Sequence, residues 1–482
     1  MGSADFSENV FHVASTIIKP VEESQHPDFL DAALFDHICL NLDNYVPILL
    51  FYRLDNTDAA YKRLINQLQD SLSKLLVPYY PMAGRWVEYN NAYTVRRLLC
   101  NDAGVPFIEA EARYDLDATL GTETFVPTCQ LSGFEDVGLD PTSYNQDIRL
   151  SLPSLIIKVT RFRCGGIVLG VNFNHVTADG ESMMQFLQAW SEMVLTGRTS
   201  YSPVHDRSNA LSLMDLQRQQ SPKSTLQTEP VQTLDTMVDE DGQTLPTEKS
   251  DSDTFRVKKP SPFCVKFLNV RMDKIEELRK VAMGSKQTTK TLSRVDCIIA
   301  HFWRCLSKLP APLLENEESI KVWTAVDCRR RISSPSLPEQ YFGNFVLLVP
   351  LPELPVKKIS GESHAFAGSL VQRTVRNINS TTCWDAVDEM VSITKGAQKS
   401  STPHFFFSSW IRFPLYDLDF GCGTPYFATG NFRHEGTPLG YCIILPPVPT
   451  KENTFAATLE IFLMKHVMDA LHADPEFLQL FS

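Results

Sequence analysis

The stretch that decides the reading is Gly166-Ile167-Val168-Leu169-Gly170-Val171-Asn172-Phe173-Asn174-His175-Val176-Thr177-Ala178-Asp179-Gly180. Its first eight residues form a mainly apolar, β-rich run. From Glu181 the period changes, and Met183, Phe186, Leu187, Trp190 and Val194 fall on one helical face that Gly197 ends. His175 therefore lies in a short strand-to-helix connection, where rigid elements on both sides fix a side chain. An imidazole with a pKa near neutrality is a natural base for an alcohol or amine. It is the only His of this chain in an HxxxD spacing, which chance alone supplies roughly once in such a sequence. Asp179 has two roles open to it. It can contact His175, or it can serve the structure by capping the helix or pairing with an Arg across the lobes; the structural role is favoured.

Working outward, Leu155 to Phe162 precedes that strand through Arg163-Cys164-Gly165, a hairpin signal. Val46 to Arg53 reads as a buried strand. Asp58 to Leu76 follows with helical spacing, capped by Asn56 or Asp58. Residues from Gln217 to about Lys259 are rich in Ser, Thr, Gln and acidic residues, and read as a surface linker, disordered in part. Beyond it, strands are expected at Pro262 to Val270, Ile320 to Val326, Phe345 to Val349, Phe405 to Ile411, Gly440 to Leu445 and Phe455 to Phe462. Helices are expected at Asp273 to Met283, Ser293 to Leu306, Ser363 to Val375, Trp384 to Thr394 and from Leu463. Alternation on both sides of the linker gives an α/β molecule of two lobes with mixed sheets. The divisions are 1–215, a linker at 216–260, and 261–482.

The chain has 482 residues, too many for one compact core. A net charge of -12 disfavours nucleic acid and anionic membranes. The 11 cysteines include no CxxC pair and read as reduced thiols of a cytoplasmic protein. No leader is visible at Met1 to Asn9, and no apolar run approaches the roughly 18 residues of a membrane span. There is no G-x-S-x-G elbow, P-loop, HExxH or Rossmann glycine triplet. Hydrolases, NTPases, zinc peptidases and dehydrogenases thus lack motif support.

A second segment, Asp419-Phe420-Gly421-Cys422-Gly423, lies about half a chain after the first. Further segments fall in order between and around them: Ile18-Lys19-Pro20, Leu76 to Arg85 (LVPYYPMAGR), Thr291 to Trp303, Val326-Asp327-Cys328-Arg329, Tyr341-Phe342-Gly343-Asn344, Ser409-Trp410 and Phe413-Pro414. Over nearly the whole chain this set resembles the plant BAHD acyltransferases, nearest their hydroxycinnamoyl branch. That family moves acyl groups from coenzyme A to hydroxyls or amines. The resemblance implies two chloramphenicol-acetyltransferase-like lobes joined by a crossover loop, with a channel at their interface and His175 near its middle. It implies acyl-CoA as co-substrate, an alcohol or amine acceptor, no metal and no covalent intermediate; with the lack of a long apolar run, a monomer without membrane insertion is expected.

By the same resemblance His175 is the base and Trp410 the donor to the oxyanion, a packed aromatic being the equal alternative for Trp410. Ser293, Arg294 and Lys290 meet the CoA phosphates, with Lys286 beside them, or are solvated surface groups. Lys395, Ser408 and Tyr45 face the acceptor; Tyr45 replaces the branch's His, and Lys395 stands for an Arg that grips a carboxylate. Asp419, Gly421 and Gly423 shape the fold, and Arg329 belongs with them. Cys422 replaces the family's usual Trp, a large-to-small change that loosens packing unless a neighbour fills the space. Two other readings stay open: an acetyl or aliphatic transferase, and a silent member acting as a binding or regulatory protein.

Overall fold

The computed structural model describes residues 10–23, 26–33, 35–36, 39, 45–88, 96–116, 131–133, 135–137, 152–207, 263–283, 291–310, 313, 318–332, 337–383, 385–387, 403–430 and 439–482. The linker, Lys286, Lys290, Lys395 and most of the helix expected from Trp384 lie outside these residues.

Two six-stranded sheets dominate. In the first, β1 (Val10–Ile18), β6 (Val105–Ala112), β8 (Leu155–Phe162), β9 (Ile167–Asn174), β3 (Tyr45–Tyr52) and β14 (Phe427–Thr429) lie side by side in that order. Only β6 and β8 run parallel; the other neighbours are antiparallel. In the second, the order is β10 (Phe263–Arg271), β16 (Phe455–Met464), β15 (Gly440–Leu445), β13 (His404–Ser409), β11 (Lys321–Asp327) and β12 (Val346–Pro350). Here β13 is parallel to both its neighbours. A four-stranded sheet, β2 (Phe29–Asp31), β5 (Arg96–Leu99), β4 (Arg85–Glu88) and β7 (Leu152–Pro153), stands beside the first.

Alternation along the strands decides what each face meets. From β9, Ile167, Leu169, Val171 and Phe173 enter the largest core, with Leu64, Leu68 and Leu72 of helix α1 (Asp58–Leu75) and Phe186 and Trp190 of α2 (Gly180–Thr196). The same core receives Tyr441, Ile443 and Leu445 of β15 and Phe462 of β16. One apolar core thus binds the two halves together. The other residues of β15, Cys442 and Ile444, face a second core. There they meet Ile298, Phe302 and Leu306 of α4 (Arg294–Leu306), Val371 of α6 (His364–Asn377), and Ile275 of α3 (Met272–Met283). The short helices α5 (Val356–Gly361), α7 (Lys465–His472) and α8 (Pro475–Leu478) complete that side.

Two further ties cross between the halves. Residues of β14 pair with β3, Ala428 opposite Leu50, so the second half lends a strand to the first sheet. The chain after α2 crosses the other way: the Phe342 N–H donates to the Val204 carbonyl at 2.9 Å. The expected cap of α1 is corrected. Thr57 fills that place, its hydroxyl accepting from Ala60 N at 3.2 Å. Asn56 instead donates to the Arg163 carbonyl, and Asp58 pairs with Arg161.

Candidate active site

His175 follows the last residue of β9 and precedes α2, so a central strand and a buried helix hold its turn from both ends. The turn is closed locally by Thr177 N–H to Asn174 carbonyl at 2.9 Å and by Val176 N–H to Asn174 Oδ1 at 3.0 Å. Trp86 anchors it from β4, its indole N–H donating to Thr177 Oγ1 at 2.8 Å.

The half-buried imidazole meets the other half of the chain. His175 Nδ1 lies 3.0 Å from Asn344 Oδ1. Asn344 is fully buried, and its Nδ2 donates to the carbonyls of His175 at 2.7 Å and Val176 at 3.0 Å, and to Asp36 Oδ1 at 2.8 Å. The other Asp36 oxygen accepts from Arg207 Nε at 2.8 Å and from Ala33 N at 2.8 Å. Asn344 was legible only as part of a family-like segment, and Asp36 carried no sequence signal.

Asp179 has its carboxylate elsewhere. Arg329 grips it with two bonds, Nη1 to Oδ2 at 2.7 Å and Nη2 to Oδ1 at 2.9 Å. Phe345 N–H donates to Oδ2 at 2.8 Å, and Ser182 N–H to Oδ1 at 3.1 Å, which caps α2. Burial pushes this carboxyl up, but the Arg329 charge and the four hydrogen bonds win and hold it below the ordinary carboxylate range. Arg329 also reaches the Gly343 carbonyl, so the ion pair clamps the segment that carries Asn344. Asp179 thus takes the favoured of its two open roles, as a cap and an inter-lobe bridge.

Trp410 is buried after β13, its backbone N–H donating to the Ile444 carbonyl at 2.8 Å. Its ring stands 5.7 Å from that of Phe413. Phe413 in turn rests on Gly180, where an added Cβ would lie 2.7 Å from its Cζ. Only Gly leaves room for that ring against the first turn of α2. This packing links Trp410 to the His175 turn. Tyr45 pairs opposite Asn174 and donates its hydroxyl to the Pro153 carbonyl at 2.5 Å. Ser408 sits half-buried in β13 opposite Ile443.

Ser293 caps α4, its hydroxyl accepting from Asp296 N at 3.1 Å in a reciprocal capping box. Arg294 opens the same helix and donates through Nη1 to the Ala456 carbonyl at 2.9 Å. The second signature lies against the far end of α2. Asp419 Oδ1 accepts from Gly421 N at 2.8 Å and Gly423 N at 3.0 Å, and Ser191 Oγ donates to the Asp419 carbonyl at 2.7 Å. The Phe420 ring packs on Trp190 at 4.9 Å. Cys422 packs half-buried against the shared core, where burial pushes its thiol up to about 12.

A family model described as Transferase family matches residues 9–478. The chain belongs to this family, the BAHD acyltransferases. Hydroxycinnamoyltransferase 1 of Oryza sativa subsp. japonica is 30% identical over 378 residues, 77% of this chain and 79% of its own length. Hydroxycinnamoyl-CoA:5-hydroxyanthranilate N-hydroxycinnamoyltransferase HHT4 of Avena sativa is 29% identical over 379 residues, 77% and 78% of the two chains. The crystal structure of vinorine synthase superposes with a TM-score of 0.67 at 21% identity, covering 98% of each chain, and shares the two-lobed fold. This BAHD member is thus an acyltransferase whose co-substrate is acyl-CoA and whose acceptor is a small molecule. No helix among the described residues is long and apolar enough to cross a membrane.

Proposed function

We propose that this BAHD acyltransferase moves an aromatic acyl group, hydroxycinnamoyl foremost, from coenzyme A to a hydroxyl or amine of a small metabolite, with His175 as general base. The observation that carries the proposal is the bond from His175 Nδ1 to Asn344 Oδ1. An amide oxygen only accepts, so Nδ1 holds the proton and Nε2 keeps its lone pair. Nε2 then takes the acceptor's O–H or N–H proton as the freed oxygen or nitrogen attacks the thioester carbonyl. The tetrahedral oxyanion needs a preorganised donor, and Trp410 supplies the indole N–H for it. Collapse breaks the C–S bond, and the imidazolium returns its proton to the CoA thiolate. Both substrates are bound together, and no acyl-enzyme forms.

Ser293 and Arg294 at the start of α4, with Lys290, meet the CoA phosphates, which suit a helix N-terminus. Tyr45, Ser408 and Lys395 face the acceptor. Residues 1–215 and 261–482 act as the two lobes, with 216–260 crossing between them, in a monomer that works in the cytoplasm. The aromatic donor is supported by the similarity to the hydroxycinnamoyltransferases of Oryza sativa and Avena sativa.

The test pairs purified protein with hydroxycinnamoyl-CoA, benzoyl-CoA and acetyl-CoA, each against mixed alcohols and amines. Thiol release and product mass are followed, with His175→Ala alongside. Acylated product is expected, strongest with the aromatic donors, and a loss of about 10² to 10⁴-fold in the variant. Equal turnover by the variant would remove His175 as base; preference for acetyl-CoA would remove the aromatic donor.

A further inference from the structure

We infer that Asp36 is a positioning residue for the acyl transfer, acting through Asn344 to hold the His175 ring with its proton on Nδ1. This rests on His175 being the base. Asn344 Nδ2 has Asp36 Oδ1 at 2.8 Å, the His175 carbonyl at 2.7 Å and the Val176 carbonyl at 3.0 Å. All three partners are acceptors with no proton to give. The atom they surround is therefore the NH₂, and a flipped amide would set its oxygen against three oxygens. The Asn344 oxygen is thereby committed to His175. It receives a second donor, the Cys39 thiol at 3.6 Å. Burial first, then the Asp36 charge, pushes that thiol well up, so it stays a protonated donor.

Two of the three acceptors belong to the His175 turn itself and move with it. Asp36 is the partner of the NH₂ that comes from another part of the chain, and its Oδ1 lies 3.3 Å from the Asn344 backbone N–H as well. Its Oδ2 is fixed by Arg207 Nε and Ala33 N. Arg207 returns to the same turn, donating from Nη2 to the Thr177 carbonyl at 3.1 Å. The result is a closed ring of bonds: His175 turn, Asn344, Asp36, Arg207 and back to Thr177. Asp36 and Asn344 are both 0% exposed and Arg207 is 4% exposed, so water does not compete for these bonds. A charge-assisted bond to the amide N–H also makes its oxygen a better acceptor for Nδ1–H. That bond strengthens as the ring becomes imidazolium during the reaction.

The test uses the full chain with ¹⁵N-ring-labelled histidine, the His175 signals being found by their absence in His175→Ala. The wild-type ring is expected to be protonated on Nδ1; protonation on Nε2 would overturn the inference at once. In Asp36→Asn, kcat is expected to fall about tenfold or more, with KM for acyl-CoA nearly unchanged and the ring shared between two tautomers. A variant left with an unpaired Arg207 is prone to misfold, so Asp36→Asn with Arg207→Met is measured beside it and expected to show the same split. Folded variants with wild-type kcat, or with a lowered kcat and an undisturbed tautomer, would overturn the role of Asp36. Full activity in His175→Ala would instead overturn the base that the inference stands on, whatever the tautomer.

Discussion

Asp179 illustrates how spacing and role part company at the level of one residue. Four positions after His175, it has the spacing of a catalytic partner, but the favoured role of cap and Arg partner is the one it takes: both its oxygens serve Arg329, a cap and a backbone N–H. Asp179→Asn keeps a good helix cap but takes the bidentate carboxylate from the largely buried Arg329, leaving it Asp327 at 3.0 Å and the neutral Ser182 hydroxyl and Gly343 carbonyl. The expected loss of stability is about 3 kcal/mol, read from denaturant unfolding. In protein that remains folded, turnover is expected to stay within about tenfold of wild type. A stable but inactive variant would return Asp179 to direct chemistry. The sign with pH follows from the lowered folded pKa: this stabilisation is present above the unfolded value and is lost as pH falls through the folded one. His175 itself was legible because a strand-to-helix change of period flanks it. Its amide partner lies 169 residues on, and that amide meets a carboxylate 308 residues away in the chain. Contacts between such distant segments leave no local pattern, so Asp36 could be found only in three dimensions.

Elements were legible wherever their own burial wrote a period into them. The β8–β9 hairpin and α1 have one face in the shared core, and their bounds were expected within about two residues. Edge and short strands had no such signal. Strand β1 is exposed along most of its length, and β14 has 3 residues whose pairing to β3 depends on the whole fold. The DFGCG segment was recognised, but its work appears only against α2. Asp419 ties down the N–H groups of Gly421 and Gly423, both at φ of +86°. Asp419→Ala strips both donors of their acceptor and is expected to cost about 1–3 kcal/mol in thermal or urea unfolding. The segment packs near Ser191, while His175 precedes Gly180, roughly 16 Å away along the helix axis. KM and kcat of the folded variant should therefore change little. A kcat collapse without loss of stability would mean that this loop reaches the chemistry.

Across the whole molecule, the shared core makes the halves one cooperative body, and its buried histidines set how that body responds to acid. His205 sits where the chain crosses between halves, its ring 5.5 Å from Phe342 and 6.3 Å from Tyr79. Its Nε2–H donates to the Pro78 carbonyl at 2.8 Å, and its Nδ1 has no hydrogen-bond partner among the described residues. Protonation would force a second N–H into an aromatic cage where no described residue accepts it. Burial, aided by the Arg207 charge and opposed by the Pro78 bond, lowers the pKa to about 4. In the second half, burial and the neighbouring His301 bring His364 to about 4 as well, and burial lowers His301. The unfolded chain binds these protons near pH 6.5, before the folded one does, so stability falls as pH drops from about 6.5 to about 4. His205 alone is expected to remove about 3 kcal/mol over that window. Urea unfolding at several pH values from 7.5 to 4 tests this, with His205→Gln as control. Gln keeps a donor for Pro78 but does not titrate, so its stability should fall less steeply over the same range. Parallel curves for variant and wild type would place the acid sensitivity elsewhere, in His301 and His364 of the second half.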